Sequence, residues 1–378
     1  MSSQVIETLA DLVRINSVNP AYEGGRPESE IVSFIDDFFA ARGVETFRQD
    51  VFPERPNLVA RIAGRKQGRR IIFEAHTDTA SVTGMTVPPF DPAIHAGRLY
   101  GRGACDTKAG LAAMMEALAS LRKDKITPAC EIWVVAAADE EFSYRGVLKL
   151  CENLNAAAAV VSEPTGMKAV IASKGCLRLR IECLGRAAHS SKPELGVNAI
   201  SRMVRVIDAI EQNTAKLAAV KHPLVGAATC NIGMIEGGTQ VNIVPERCAI
   251  ALDRRLIPGE DLRTVKQGYQ RILDELAARF QPFETDMTVL LEDVPLETAP
   301  DSNVAAVSAA VLRDLGLDDG FVGVPFGSDA SKLSRAGVPS VVIGPGSIDQ
   351  AHAAEEFVEC EQVEQAFEFY RGFMRLFE

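Results

Sequence analysis

Residues 131–141 read EIWVVAAADEE. An apolar run, Val134 to Ala138, passes directly into Asp139, Glu140 and Glu141. The run reads as a buried strand, and the three carboxylates at its mouth repel one another and lose hydration. Similar β-rich runs flank it: NLVARIAG (57–64), RIIFEAH (70–76) and AAVVSE (158–163). Helical patterns lie between several of them, notably AGLAAMMEALASLRK (109–123). Helical spacing also marks the N-terminus and residues 28–43, which close on Gly43 as a helix should. Strands alternating with helices predict an α/β layer with a mostly parallel sheet, whose sites form at the carboxyl ends of the strands.

The texture changes after about residue 176. LRLRIECLG (177–185) alternates apolar and polar residues, as a strand with one wet face does. A helix (196–213), the runs 228–238 and 240–255, a helix from about 260 to 280 and the strand FETDMTVLLED (283–293) follow. This pattern predicts an antiparallel sheet with two helices on one face. After it, residues 303–316 and 339–346 return to α/β texture. The expected organisation is therefore a split α/β domain, 1–176 and 292–378, interrupted by an inserted α+β domain, 177–291.

Composition narrows the function classes. The chain has 378 residues, 47% hydrophobic and 24% charged, long enough for two domains. Its net charge of −11 argues against nucleic acid, and no polybasic cluster suggests a membrane surface. Cysteines 105, 130, 151, 176, 183, 230, 248 and 360 are scattered without a CxxC pair, so free thiols in a reducing compartment are expected. The N-terminal MSSQVIETLADLVRI reads as an amphipathic helix and not as a signal peptide. A cytoplasmic protein is the expectation.

Five polar clusters stand at strand ends or in the loops that follow. They are His76 with Asp78, Asp106 in YGRGACDTKAG, the acidic triplet, Glu163 and His352. Two imidazoles and several carboxylates at one sheet edge are the ligand set of a divalent-metal site. Divalent cations also reverse the repulsion within the triplet, by supplying the opposite charge. His76 and Asp78, two apart, face the same way on a strand, where a carboxylate can accept the second imidazole N–H. Adjacent Glu140 and Glu141 point differently, so one can bind metal while the other serves as general base. A pair of metals needs a bridging carboxylate and several terminal ligands. Asp106, Glu141, Glu163, His76 and His352 supply that number, which leaves Glu140 as the base; Asp139 is expected to be a loop residue or a support behind the ligands, with no direct part in catalysis. GRGACD is an incomplete dinucleotide motif, and neither FGSDAS nor GPGSI forms a GxSxG elbow.

The segments EAHTDTA (74–80), GRLYGRGACDTKAG (97–110), AADEE (137–141), SEPT (162–165), GRAAHSSKPELGVNAI (185–200), GMIEGGTQVNIVPE (233–246), LDRRLIPGE (252–260) and AHAAEEF (351–357) follow one another in this order. In this the chain resembles the M20-type metallo-aminoacylase and peptidase family, which holds acetylornithine deacetylase, succinyl-diaminopimelate desuccinylase, aminoacylase-1 and glutamate carboxypeptidase. The resemblance implies two zinc ions, with cobalt or manganese as alternatives. His76, Asp106 and Glu163 would hold one, and Asp106, Glu141 and His352 the other. It casts Glu140 as general base, Asp78 as the orienter of His76 and His189 as the group that binds the scissile carbonyl. Asn242, Arg255 and Ser328 would meet the substrate, an N-acyl amino acid or a short peptide. The inserted domain would act as a lid and form a homodimer. The family's HxDxV and DMKGG patterns read HTDTA and DTKAG here, which leaves ligation intact but loosens assignment to one branch. The leading expectation is a deacylase of N-acyl amino acids, with a metallopeptidase next. Further alternatives are a non-catalytic metal-binding protein and, remotely, a serine hydrolase.

Overall fold

A computed structural model of the chain describes residues 3–378. Along the chain come α1 (Gln4–Arg14), α2 (Ser29–Ala40), β1 (Glu45–Phe52), β2 (Arg55–Ile62), β3 (Arg70–His76), β4 (Ala93–His95), β5 (Arg98–Tyr100), α3 (Lys108–Lys123), β6 (Glu131–Ala137), α4 (Arg145–Cys151), β7 (Ala158–Val161) and β8 (Ala169–Ser173). Then follow β9 (Gly175–Leu184), α5 (Ala199–Leu217), β10 (Lys221–His222), β11 (Gly226–Ala227), β12 (Thr229–Gly237), β13 (Arg247–Leu256), α6 (Leu262–Arg279), β14 (Glu284–Asp293) and β15 (Leu296–Glu297). The last stretch holds α7 (Asn303–Asp314), β16 (Phe321–Val324), α8 (Ala330–Arg335), β17 (Ser340–Val342), β18 (Phe357–Glu359) and α9 (Cys360–Leu376).

Two compact units result. The first comprises residues up to Ile171, Glu297–Val322 and Ser328–Glu378; the second comprises Ala172–Leu296 and Gly323–Gly327. The second unit thus reaches five residues beyond the expected 177–291 at each end and takes in a distant short segment. That segment joins it because the Lys174 N–H donates to the Val324 carbonyl. The contact lies far apart in sequence and leaves no local pattern.

In the first unit the sheet runs β1-β2-β6-β3-β7-β17-β8. Its centre, β6, β3, β7 and β17, is parallel, and antiparallel pairs flank it. The α/β expectation with a mostly parallel sheet holds at this centre. Parallel strands are covered on both faces, so β3 and β7 are buried along almost their whole length. The Ala- and Met-rich α3 is buried nearly all round because α1 and α9 pack beside it over the sheet. Gly110 is required there: a Cβ would lie 1.6 Å from the Ser162 hydroxyl at the end of β7.

In the second unit the antiparallel order is β12-β13-β9-β14. Burial alternates along β9 and β13, whose inner residues join those of α5 and α6 in a separate core. Run 240–255 forms a strand only from Arg247 onward; the preceding segment turns.

Candidate metal centre

Register brings the polar clusters together. β3 pairs β6 so that His76 lies opposite Ala137, and β7 pairs β3 so that Val161 lies opposite Glu74. The chain beyond each strand therefore leaves the sheet at one edge, carrying Glu140, Glu141 and Glu163 to the level of His76. The loop before α3 adds Asp106, and the loop before β18 adds His352.

Asp106 stands at the middle. Its Oδ1 is 3.0 Å from His76 Nε2, and its Oδ2 is 3.4 Å from His352 Nε2. His352 Nε2 is also 3.0 Å from Glu141 Oε1. Two groups that could hold a cation result, His76–Asp106–Glu163 and Asp106–Glu141–His352, each with its donor atoms within 4.8 Å of one another. Donors at roughly 2.0–2.2 Å from one cation lie at most about 4.4 Å apart, so these groups need only a small inward adjustment to hold an ion. His76 Nδ1 lies 2.8 Å from the Asp78 carbonyl. A carbonyl only accepts, so Nδ1 carries a proton; Nε2 faces the Asp106 carboxylate, donates to it in the absence of a cation, and is the ring nitrogen that a cation would take once that proton leaves.

The electrostatics match a cation site. Burial, and next the charge of Glu163, pushes Glu140 well above the ordinary carboxyl range. Burial and Asp106 do the same to Glu163. Burial raises Glu141 too, against the hydrogen bond from His352. Burial works upward on Asp106 as well, but hydrogen bonds from His352 and His76 leave it depressed. The bonds to Asp106 and Glu141 push His352 up to about 10. The half-buried Glu140 carboxylate accepts no hydrogen bond from any described residue, unlike Asp106 and Glu141.

The supports differ in part from expectation. The Asp78 carboxylate does not take the second imidazole N–H of His76; its nearer oxygen is 3.7 Å away. Three other donors draw it off: the Glu140 N–H at 3.0 Å, the Glu141 N–H at 3.1 Å and Asn19 Nδ2 at 2.7 Å. Asp139, with φ +68°, is a buried anchor of the turn and accepts from Asn19, Arg55 and Ser143. The Asp106 loop is clamped by Glu356, which accepts from Cys105 N at 2.9 Å, Asp106 N at 3.1 Å and Arg102 Nη1 at 2.6 Å. Lys108 is buried and donates to the Leu12 and Ile15 carbonyls, and burial pulls its pKa down to about 7.

Glu74, Asn19, Arg55, Asp329 and Glu356 were not read from the sequence as functional. Glu74 had a signal, being an acid two residues before His76 on the same strand face. It is buried in the interior near Asp329, whose carboxylate oxygens have no hydrogen-bond partner among the described residues, and burial pushes Asp329 up to about 7. Ser328 is buried with its hydroxyl unbonded, so it offers little surface to a substrate. In the second unit, His189 pairs with Ile243, and the Ser190 N–H donates to the Asn242 carbonyl, so His189 and Asn242 are neighbours there. Both are exposed, and His189 Nδ1 bonds the Ser191 hydroxyl at 2.8 Å. Arg255 Nε donates to Asp253 Oδ1 at 2.7 Å.

A family model described as peptidase family M20/M25/M40 matches residues 72–376. The chain belongs to peptidase family M20/M25/M40. It is a hydrolase of the amidohydrolase and peptidase class. Acetylornithine deacetylase of Myxococcus xanthus is 31% identical over 94% of this chain and 93% of its own length. Acetylornithine deacetylase of Vibrio atlanticus is 28% identical over 96% and 94%. In fold, the chain is similar to an aminopeptidase from Bacillus cereus, with a TM-score of 0.82 at 24% identity, covering 98% of this chain and 97% of that one. It is also similar to a dinuclear metal-binding M20 peptidase from Bacillus subtilis, with a TM-score of 0.75 at 17% identity, covering 99% and 97%. Among the described residues, no helix is long and apolar enough to cross a membrane.

Proposed function

We propose that the protein is a deacylase that hydrolyses the amide bond of an N-acyl amino acid with two divalent cations. The observation that carries this reading is Asp106, shared by two ligand groups with the unbonded Glu140 carboxylate beside them. His76, Asp106 and Glu163 would hold one ion, and Asp106, Glu141 and His352 the other. The mixed imidazole and carboxylate set suits zinc, with cobalt or manganese as substitutes. When bound, the cations would supply Lewis acidity toward the scissile carbonyl and toward the attacking water.

Glu140 takes the proton of the attacking water and returns it to the leaving amine. A base must also become an acid within one turnover, and a carboxylate held by no other hydrogen bond is free to do both. In this reading His189 binds the carbonyl oxygen, beside Asn242. Arg255 meets the substrate carboxylate, exchanging its partner Asp253. The near full-length relatives named acetylornithine deacetylase support an acyl amino acid over a peptide. The eight free thiols support a reducing, cytoplasmic setting. The second unit serves as lid and as dimerisation surface.

A pair of variants tests the roles. Glu140→Gln keeps shape but cannot take a proton, so turnover should fall by about 10²–10⁴, or roughly 3–5 kcal/mol of barrier, with metal content unchanged. Glu141→Gln should lose metal at one position first and recover partly in excess zinc. Exchange of these behaviours would show base and ligand to be reversed, and less than a tenfold loss in both would sink the mechanism. Hydrolysis of N-acetyl, N-succinyl and N-formyl amino acids, compared with dipeptides, names the substrate; cleavage of the dipeptides alone would make it a peptidase.

A further inference from the structure

The loop after α1, residues 15–22, reads INSVNPAY and carries none of the ligands named above. It nevertheless lies against the back of the acidic turn. We propose that Asn19, backed by Arg55, is a positioning residue that sets Glu140 and Glu141 by acting through Asp78 and Asp139. The inference rests on the reading of Glu140 as base and Glu141 as ligand.

Asn19 is fully buried, and its amide has one orientation open to it. Its backbone N–H donates to the Thr79 carbonyl at 2.9 Å, just after Asp78, and its Oδ1 accepts the Ala21 N–H at 3.0 Å. Nδ2 then faces two carboxylates, Asp78 Oδ2 at 2.7 Å and Asp139 Oδ1 at 3.0 Å. An amide nitrogen carries two protons, one for each acceptor. Both carboxylates are buried, so without this donor they would repel each other at close range in a poorly solvated place. Aspartate at position 19 would remove both protons and add a third negative group. Serine has a single O–H and cannot bridge the two.

Leverage on the turn comes from where Asp78 points. Its two oxygens accept the N–H groups of Glu140 and Glu141, so moving Asp78 moves both peptide planes that carry the base and the ligand. Arg55 holds the other half. Nε and Nη2 fork onto Glu28 at 2.6 and 2.8 Å, and Nη2 also donates to Asp139 Oδ1 at 2.8 Å. The same loop reaches the turn once more, through the Tyr22 hydroxyl on the Glu141 carbonyl at 2.8 Å. Lysine at position 55 would keep the charge but lose the fork that spans Glu28 and Asp139.

The test is Asn19→Ala alone and combined with Glu140→Gln, with Arg55→Lys as the milder second variant. A base displaced by about an ångström costs on the order of a hundredfold in rate. Asn19→Ala should therefore lower kcat by about ten- to a hundredfold. KM should stay within about threefold, because the substrate's own contacts are untouched. In the Glu140→Gln background, with metal saturating so that the Glu141 position stays filled, the same change should cost less than about twofold more, since effects that run through one group do not multiply. Titration with Co²⁺, followed by its visible absorption, should show the second equivalent binding about tenfold more weakly. Arg55→Lys should show the same kcat split at about three- to tenfold, and it carries the test if Asn19→Ala does not fold. A merely structural Asn19 would lower the melting temperature and leave kcat per folded molecule and the Co²⁺ titration unchanged; that result overturns the inference. So does full multiplication of the two losses. An inactive Glu140→Gln beside a wild-type kcat in Asn19→Ala and Arg55→Lys defeats this inference alone. A fully active Glu140→Gln defeats the parent reading and the inference together.

Discussion

Glu356→Gln should loosen the Asp106 loop and weaken both cation positions at once. The wild-type carboxylate is fully buried against an equally buried Arg102 and accepts three hydrogen bonds. Removing one partner of a buried ion pair costs about 3–5 kcal/mol. Glutamine keeps an oxygen for the Cys105 and Asp106 N–H groups, but those two bonds lose charge assistance, about 1 kcal/mol each. The sum, about 5–7 kcal/mol, is a large share of the 5–15 kcal/mol that typically separates a folded protein from its unfolded chain. For a unit of this size the melting temperature should fall by at least about 10 °C. Excess zinc should restore part of it, because a ligand of the folded state stabilises by mass action, about 2.7 kcal/mol at a hundred times its Kd. Calorimetry with and without zinc, paired with a metal titration, reads both effects. The double variant Arg102→Met/Glu356→Leu separates them: apolar replacement of the pair should recover much of the stability, yet the two N–H groups stay without an acceptor and metal affinity stays low. A Glu356→Gln protein that melts within about 3 °C of wild type and holds both cations with unchanged affinity would refute the clamp.

Asp329 has a folded pKa of about 7 against an ordinary 3.8, so the folded state binds its proton more tightly than the unfolded chain does. Its contribution is fully present below about pH 4 and lost as pH rises toward 7, and Asp329→Asn should flatten the fall in stability across that window; an unchanged slope in chelator-treated protein would count against it. The second unit should form a homodimer, because Met234 and Ile235 on the edge strand β12 and Val241 beyond it are exposed. Sedimentation equilibrium of the full chain should give twice the chain mass, and a fully active monomer would remove the dimer from the proposed function.

The local pattern was enough for much of this protein. Mostly apolar runs leading into His76, the acidic triplet and Glu163 marked β3, β6 and β7 as interior strands of a parallel layer, since a strand covered on both faces must be apolar on both. Alternation along 177–185 marked a different, one-faced sheet. The ligand types were legible because His76, Glu141 and Glu163 follow such runs directly, and the carboxyl ends of parallel strands converge at one edge. The tertiary structure decided what depends on partners far away in sequence. Asp78 was expected to serve His76, two residues off; Asn19 and the N–H groups of Glu140 and Glu141 compete for the same carboxylate and draw it away. Glu356 looked like one more acid in AHAAEEF, and only the approach of residues 102–106 makes it the clamp on Asp106. The same holds for Gly323–Gly327, which is tied by a hydrogen bond to Lys174, about 150 positions earlier. Period and propensity report on the neighbours of a residue along the chain. Hydrogen-bond competition and the pairing of buried charges depend on which distant residues arrive, and that is settled only when the chain has folded.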